Sequence, residues 1–108
     1  TEPSLLEQIF TSFLNDGAER LDKLRNALDG NDPELLRKTA HTLKGASANI
    51  GAHHLADIAE QLELLGKASS MSGAAVLIEQ LECEFERVKS EIAESGINRL
   101  PSSDTNQS

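Results

Sequence analysis

The chain has 108 residues, enough for one domain with a single core, and a formal net charge of −8 that argues against nucleic acid as the partner. With 38 % hydrophobic residues, three Phe and neither Trp nor Tyr, the core must be built mainly from Leu, Ile, Val and Ala. Cys83 stands alone, so there is no disulfide framework, and no apolar run reaches the length of a membrane span.

Ser4-Leu5-Leu6-Glu7 matches a capping box and opens the first helix. Leu6, Phe10, Phe13, Gly17, Leu21, Leu24 and Leu28 follow at steps of three and four, which predicts one long amphipathic helix to about Leu28. Because the phase survives across Asn15-Asp16-Gly17, Gly17 reads as a small residue at a close helix contact rather than a break. Asp29-Gly30-Asn31-Asp32-Pro33 is a loop. Asn31 or Asp32 is placed to cap a second helix, with Pro33 in its first turn and Glu34 at the positive end of its dipole.

The second helix carries Leu36, Ala40, Leu43 and Ile50 on one stripe and stops at Gly51. A third follows almost at once, with Leu55, Ile58, Ala59, Leu62 and Leu65 on one face, ending at Gly66. A Ser-rich loop from Lys67 to Gly73 leads to a fourth, whose inner stripe takes up Leu77, Leu81, Phe85, Val88 and Ile92 and which ends near Ser95-Gly96. Cys83, between Leu81 and Phe85, is expected as a partly buried thiol. The run Glu79, Glu82, Glu84, Glu86, Glu91 and Glu94 reads as a solvated face. Four helices with one apolar face each predict an all-α antiparallel four-helix bundle over residues 1–96, and residues 97–108 are expected to form a disordered tail.

The chemistry converges on the second helix. His41 lies roughly 160° from the centre of the apolar stripe, facing solvent, with Arg37, Lys38, Lys44, Gly45 and Ala48 on the same outer face. A neutral imidazole is a competent nucleophile near neutral pH, and phosphoryl transfer asks mainly for positioning and neutralisation of charge. Lys44 and Arg37 are placed to supply cations. Gly45, which costs a helix about 1 kcal/mol relative to Ala, leaves clear space for an approaching partner. Glu63, at the edge of the third helix's buried face, is the candidate to orient the ring. His53 and His54 diverge by roughly 100° on a helix and do not face one ion, so they read as polar surface residues and no metal site is expected.

The run from Ala40 through His41, Thr42, Leu43, Lys44, Gly45 and Ala46 to Ile50, Gly51 and Ala52, followed by Leu55 and Leu62-Glu63, resembles the signature of histidine-containing phosphotransfer (HPt) domains. The dense part of the resemblance spans Leu36 to Glu63. It implies a relay station of multistep two-component signalling, accepting a phosphoryl group on His41 from the aspartate of a receiver domain and passing it to another receiver or back. Lys44 would be the cation near the phosphoryl group and Gly45 the residue that keeps the site open. Arg37, Lys38 and Ala48 would meet the docked receiver, and Glu63 falls where many members carry a polar residue near the histidine. It further implies a carrier without kinase activity and without its own cofactor, the magnesium belonging to the receiver. A cytoplasmic monomer is expected, with no membrane contact, free or as the C-terminal module of a hybrid sensor kinase; the start at Thr1 rather than Met suits a module of something longer. A kinase dimerisation module is the competing enzyme reading, but Thr42 stands where an acidic residue would follow the histidine, and there is no Gly-rich nucleotide loop. A bundle with an incidental His41 is the competing structural reading.

Overall fold

A computed structural model describes residues 3–95 as four α-helices: α1 (Leu5–Asp29), α2 (Pro33–Asn49), α3 (His53–Lys67) and α4 (Ala74–Glu94). Each packs on its neighbours in chain order and α1 closes the ring against α4, the arrangement of an antiparallel four-helix bundle; α2 and α3 share the most extensive interface. No helix among the described residues is long and apolar enough to cross a membrane. The tail expected over residues 97–108 lies outside the described residues.

The helix starts follow local chemistry. At α1 the capping box is complete: the Glu7 backbone N–H donates to Ser4 Oγ at 3.1 Å, and the Ser4 N–H donates to Glu7 Oε1 at 2.9 Å. At α2 it is Asp32, rather than Asn31, whose side chain accepts from the Leu35 N–H at 3.1 Å, with Pro33 in the first turn.

The core is aliphatic, as the composition requires, with Leu24, Leu36, Leu43, Leu55, Leu62, Ile78 and Leu81 essentially without solvent exposure. α1 runs unbroken through Gly17, which is buried because a Cβ there would lie 2.4 Å from Cε1 of Phe85. The missing side chain lets α4 seat its aromatic ring directly on the α1 backbone, where that ring also meets Phe13 at a centroid distance of 5.9 Å.

Several positions depart from the sequence reading. Leu6 is 49 % exposed although it is in phase with Phe13; α1, at 25 residues against 17 for α2, carries its first turn beyond the core. Cys83 is exposed rather than partly buried, since it lies about 200° around the helix from Leu81. Ile78 is fully buried and Leu77 only partly, so the inner stripe of α4 is rotated slightly from the expected one. Glu84 belongs to that stripe and is buried, its charge met by the Arg87 guanidinium, which also holds Glu91 at 2.6 Å. Glu82 pairs in bidentate fashion with Arg25 of α1 at 2.9 and 2.6 Å. The acidic run on α4 is therefore only in part a solvated face. Gly66 does not end α3 but lies inside it, buried against α2, and the chain turns away two residues after Lys67, where Ser69 adopts a left-handed φ of 53°.

Two mid-helix glycines thus make opposite predictions. Gly17→Val should destabilise the fold by about 1–3 kcal/mol through overpacking against Phe85. Gly45→Ala, where an added Cβ meets nothing within 4 Å, should stabilise it by about 1 kcal/mol. Urea unfolding followed by circular dichroism measures both.

Candidate functional site

The site is built by the α2–α3 hairpin, which is held at both ends. At the turn, Gly51 adopts φ +82°, a conformation that glycine enters without strain, while the Ala52 N–H donates to the Ser47 carbonyl at 2.9 Å. At the far end, Gly66 brings α3 directly onto the start of α2: a Cβ there would lie 2.7 Å from Cβ and N of Arg37 and from the Pro33 carbonyl oxygen. With the register fixed between these points, Glu63, one turn before Gly66, comes to lie beside His41 and Lys44.

The His41 side chain is 63 % exposed, as expected for a residue off the apolar stripe, whereas that of Glu63 is only 5 % exposed. Nδ1 of His41 lies 2.9 Å from Oε2 of Glu63, and Nζ of Lys44 lies 2.8 Å from Oε1. Lys67, one turn further along α3, brings a second ammonium to 3.8 Å from Oε2. Lys44 foremost, then His41, holds the Glu63 carboxyl below the usual carboxylate range, against the opposing effect of burial. The same pairing holds the Lys44 ammonium above its usual range.

An ionised carboxylate only accepts hydrogen bonds, so the His41–Glu63 contact places a proton on Nδ1. In the neutral ring, Nε2 then carries the lone pair. The arrangement therefore sets both the orientation of the imidazole and its tautomer, and leaves the second nitrogen on the exposed side of the ring.

The other predicted residues are distributed around this centre. Gly45 is exposed, with open space where a side chain would stand, and Ala48 is exposed one further turn along. Lys44 is on the expected flank, but its ammonium is engaged by Glu63 instead of standing free over the ring. Arg37 is also committed: its guanidinium grips Glu34 through Nε at 3.1 Å and Nη2 at 2.5 Å, turned toward the start of α2. Its N-terminal neighbour three residues back competes successfully because i, i+3 pairs share a helix face. Lys38 is exposed on the opposite flank, toward α1. Lys67, expected to open the Ser-rich loop, instead ends α3 and joins the site, at a spacing of four from Glu63 that is a standard helical pairing distance. His53 and His54 are exposed at the start of α3, and no three His, Cys, Asp or Glu side chains gather into a potential metal site among the described residues.

Because the Glu63 pKa is lowered on folding, its pairing contributes stability above the ordinary carboxylate pKa and loses it as the pH falls through the lowered folded value. Glu63→Gln should therefore give a shallower fall in stability on acidification below about pH 4.5. The fall should not vanish, since Glu34, Glu82 and Glu84 are lowered by their own arginine partners. Urea midpoints taken across the acid range measure the difference, and an unchanged acid limb would remove the assigned charge pairing.

Comparison with known proteins identifies the family. The family model for the Hpt domain matches residues 8–91. The crystal structure of histidine-containing phosphotransfer protein B (HptB) from Pseudomonas aeruginosa PAO1 is similar at a TM-score of 0.82 and 35 % sequence identity, over 87 % of this chain and 82 % of that one. No match was found among curated proteins. The chain belongs to the Hpt domain family, the histidine phosphotransfer carriers of two-component phosphorelays.

Proposed function

We propose that His41 is the phosphoacceptor, acting through Nε2. The observation that carries this reading is an exposed imidazole whose Nδ1 is held at 2.9 Å by a buried carboxylate. The lone pair of Nε2 attacks the phosphorus of a receiver's aspartyl phosphate, an N–P bond forms, and the acyl P–O bond breaks with its electron pair leaving on the aspartate. The Nδ1 proton stays between ring and Glu63, where the carboxylate balances the positive charge that grows on the imidazole. Passage to a second receiver is the same step in reverse.

Glu63 does not repel the phosphoryl group in this arrangement. It contacts the ring on the Nδ1 side, opposite the attacking nitrogen, and Lys44 and Lys67 offset its charge. Lys44 keeps Glu63 ionised and adds a cation at the site. Gly45 and Ala48 leave room for the receiver, while Arg37 and Lys38 meet its polar edge. The domain itself has no resident cofactor and no kinase activity; magnesium belongs to the receiver, which must hold it with its own carboxylates. The reading is of a monomeric cytoplasmic carrier, free or joined to a hybrid sensor kinase.

Incubation with a receiver carrying labelled aspartyl phosphate should transfer acid-labile label to the wild-type chain and none to His41→Gln; equal labelling of the two would end the assignment. Gly45→Leu should remain folded yet transfer roughly 100-fold more slowly, because crowding displaces the reacting groups from alignment. A normal single-turnover rate in that variant would remove the role of the open space. Incubation with ATP alone should give no label, and labelling under those conditions would favour a kinase module instead.

A further inference from the structure

Between α1 and α2, on the flank of α2 away from Lys44, lies a groove of about 210 Å³ lined by Arg20, Lys23, Leu35, Lys38, Thr39 and Thr42. Three cations converge there on a chain whose net charge is −8. None of the three is ion-paired among the described residues, whereas Arg25, Arg37, Lys44, Lys67 and Arg87 all are. The carboxylates at helical pairing distance are engaged elsewhere or left aside. Asp16 takes the Ser12 hydroxyl at 3.4 Å, and Arg20 donates only to its backbone carbonyl at 3.3 Å. Glu34, four residues before Lys38, is held by Arg37, and Glu19, four before Lys23, makes no ion pair with it.

The groove adjoins the phosphoacceptor site. Lys38 precedes His41 by three residues and Thr42 follows it directly, so a protein seated over His41 reaches the groove's edge. A receiver that holds magnesium beside a phosphorylated aspartate needs carboxylates around that site, because magnesium takes oxygen ligands. An extended polyanion is a poorer fit, since the chain's net charge is −8 and the groove is short.

We infer that Arg20, Lys23 and Lys38 form a cationic docking edge that recognises acidic side chains at the rim of the receiver's phosphoaspartate site and steers it onto His41. The inference rests on the proposed role of His41 and adds to it a surface, contributed largely by α1, that acts on encounter rather than on the transfer step. Unpaired surface cations next to a binding site raise association rates with acidic partners, and their effect fades as salt screens them.

The double substitution Arg20→Glu/Lys23→Glu, with Arg20→Gln/Lys23→Gln as the milder version, tests this by transfer from a phosphorylated receiver at low and high ionic strength. For the Glu pair, kcat/KM should fall roughly tenfold or more at low salt, chiefly through KM, and the difference from wild type should shrink at high salt. The Gln pair should fall in between. Equal kcat/KM and equal salt dependence in wild type and either folded variant would overturn the docking edge, as would a loss confined to the rate at saturating receiver. Phosphoramidate, a small donor that needs no docking, tests the underlying reading separately: it should label the wild-type chain but not His41→Gln, and a failure there overturns the role of His41 itself.

Discussion

The structure depends on one shared carboxylate. Glu63 lies nearly out of solvent between the imidazole of His41 and the ammonium of Lys44, at 2.9 and 2.8 Å. A buried carboxylate is tolerated only when its charge is met, and here both helices contribute the groups that meet it. The result is an imidazole of fixed tautomer and direction on a rigid helix, its side chain largely exposed and its second nitrogen left without the Glu63 contact. The negative charge of Glu63 is placed on the Nδ1 side of the ring and is offset by Lys44 and Lys67.

That contact exists because two helices are locked in register by residues without side chains. Gly51 makes the turn, and Gly66 lets α3 close onto the first turns of α2, near enough that a methyl group would collide with Arg37 and Pro33. Gly17 plays a comparable part on the far side of the bundle by admitting the Phe85 ring. Gly45 differs in kind: it is exposed and an added Cβ would meet nothing, so packing gives no reason for it, and it leaves open space beside His41. One residue type thus serves the turn, the close packing and the open site.

The charges are divided in a similar way. Among the described residues Arg25 and Arg87 tie down carboxylates of α4, Arg37 holds Glu34, and Lys44 and Lys67 neutralise Glu63. The remaining cations near His41 gather on one flank. A strongly acidic chain can in this way present a local positive edge beside the proposed phosphoacceptor while its overall charge keeps it from nonspecific polyanions.

The sequence by itself determined the four helices, their order and the exposure of His41, because periodicity, capping residues and loop composition act over only a few residues. It also revealed the close contact at Gly17 and the clearance at Gly45, since each interrupts a helical pattern that continues in phase on either side. Tertiary structure alone decided what faces what across the helices. Gly66 resembled a helix stop until α2 was seen packed on it, Leu6 was in phase but lay beyond the reach of the core, and Glu84 had the composition of a surface residue but the phase of a buried one. Glu63 as the group that orients His41 was legible in the sequence, but which ring nitrogen it holds and its capture of the Lys44 ammonium were not, because Glu63 lies 19 residues from Lys44 and 22 from His41 and the geometry depends on the register of two packed helices.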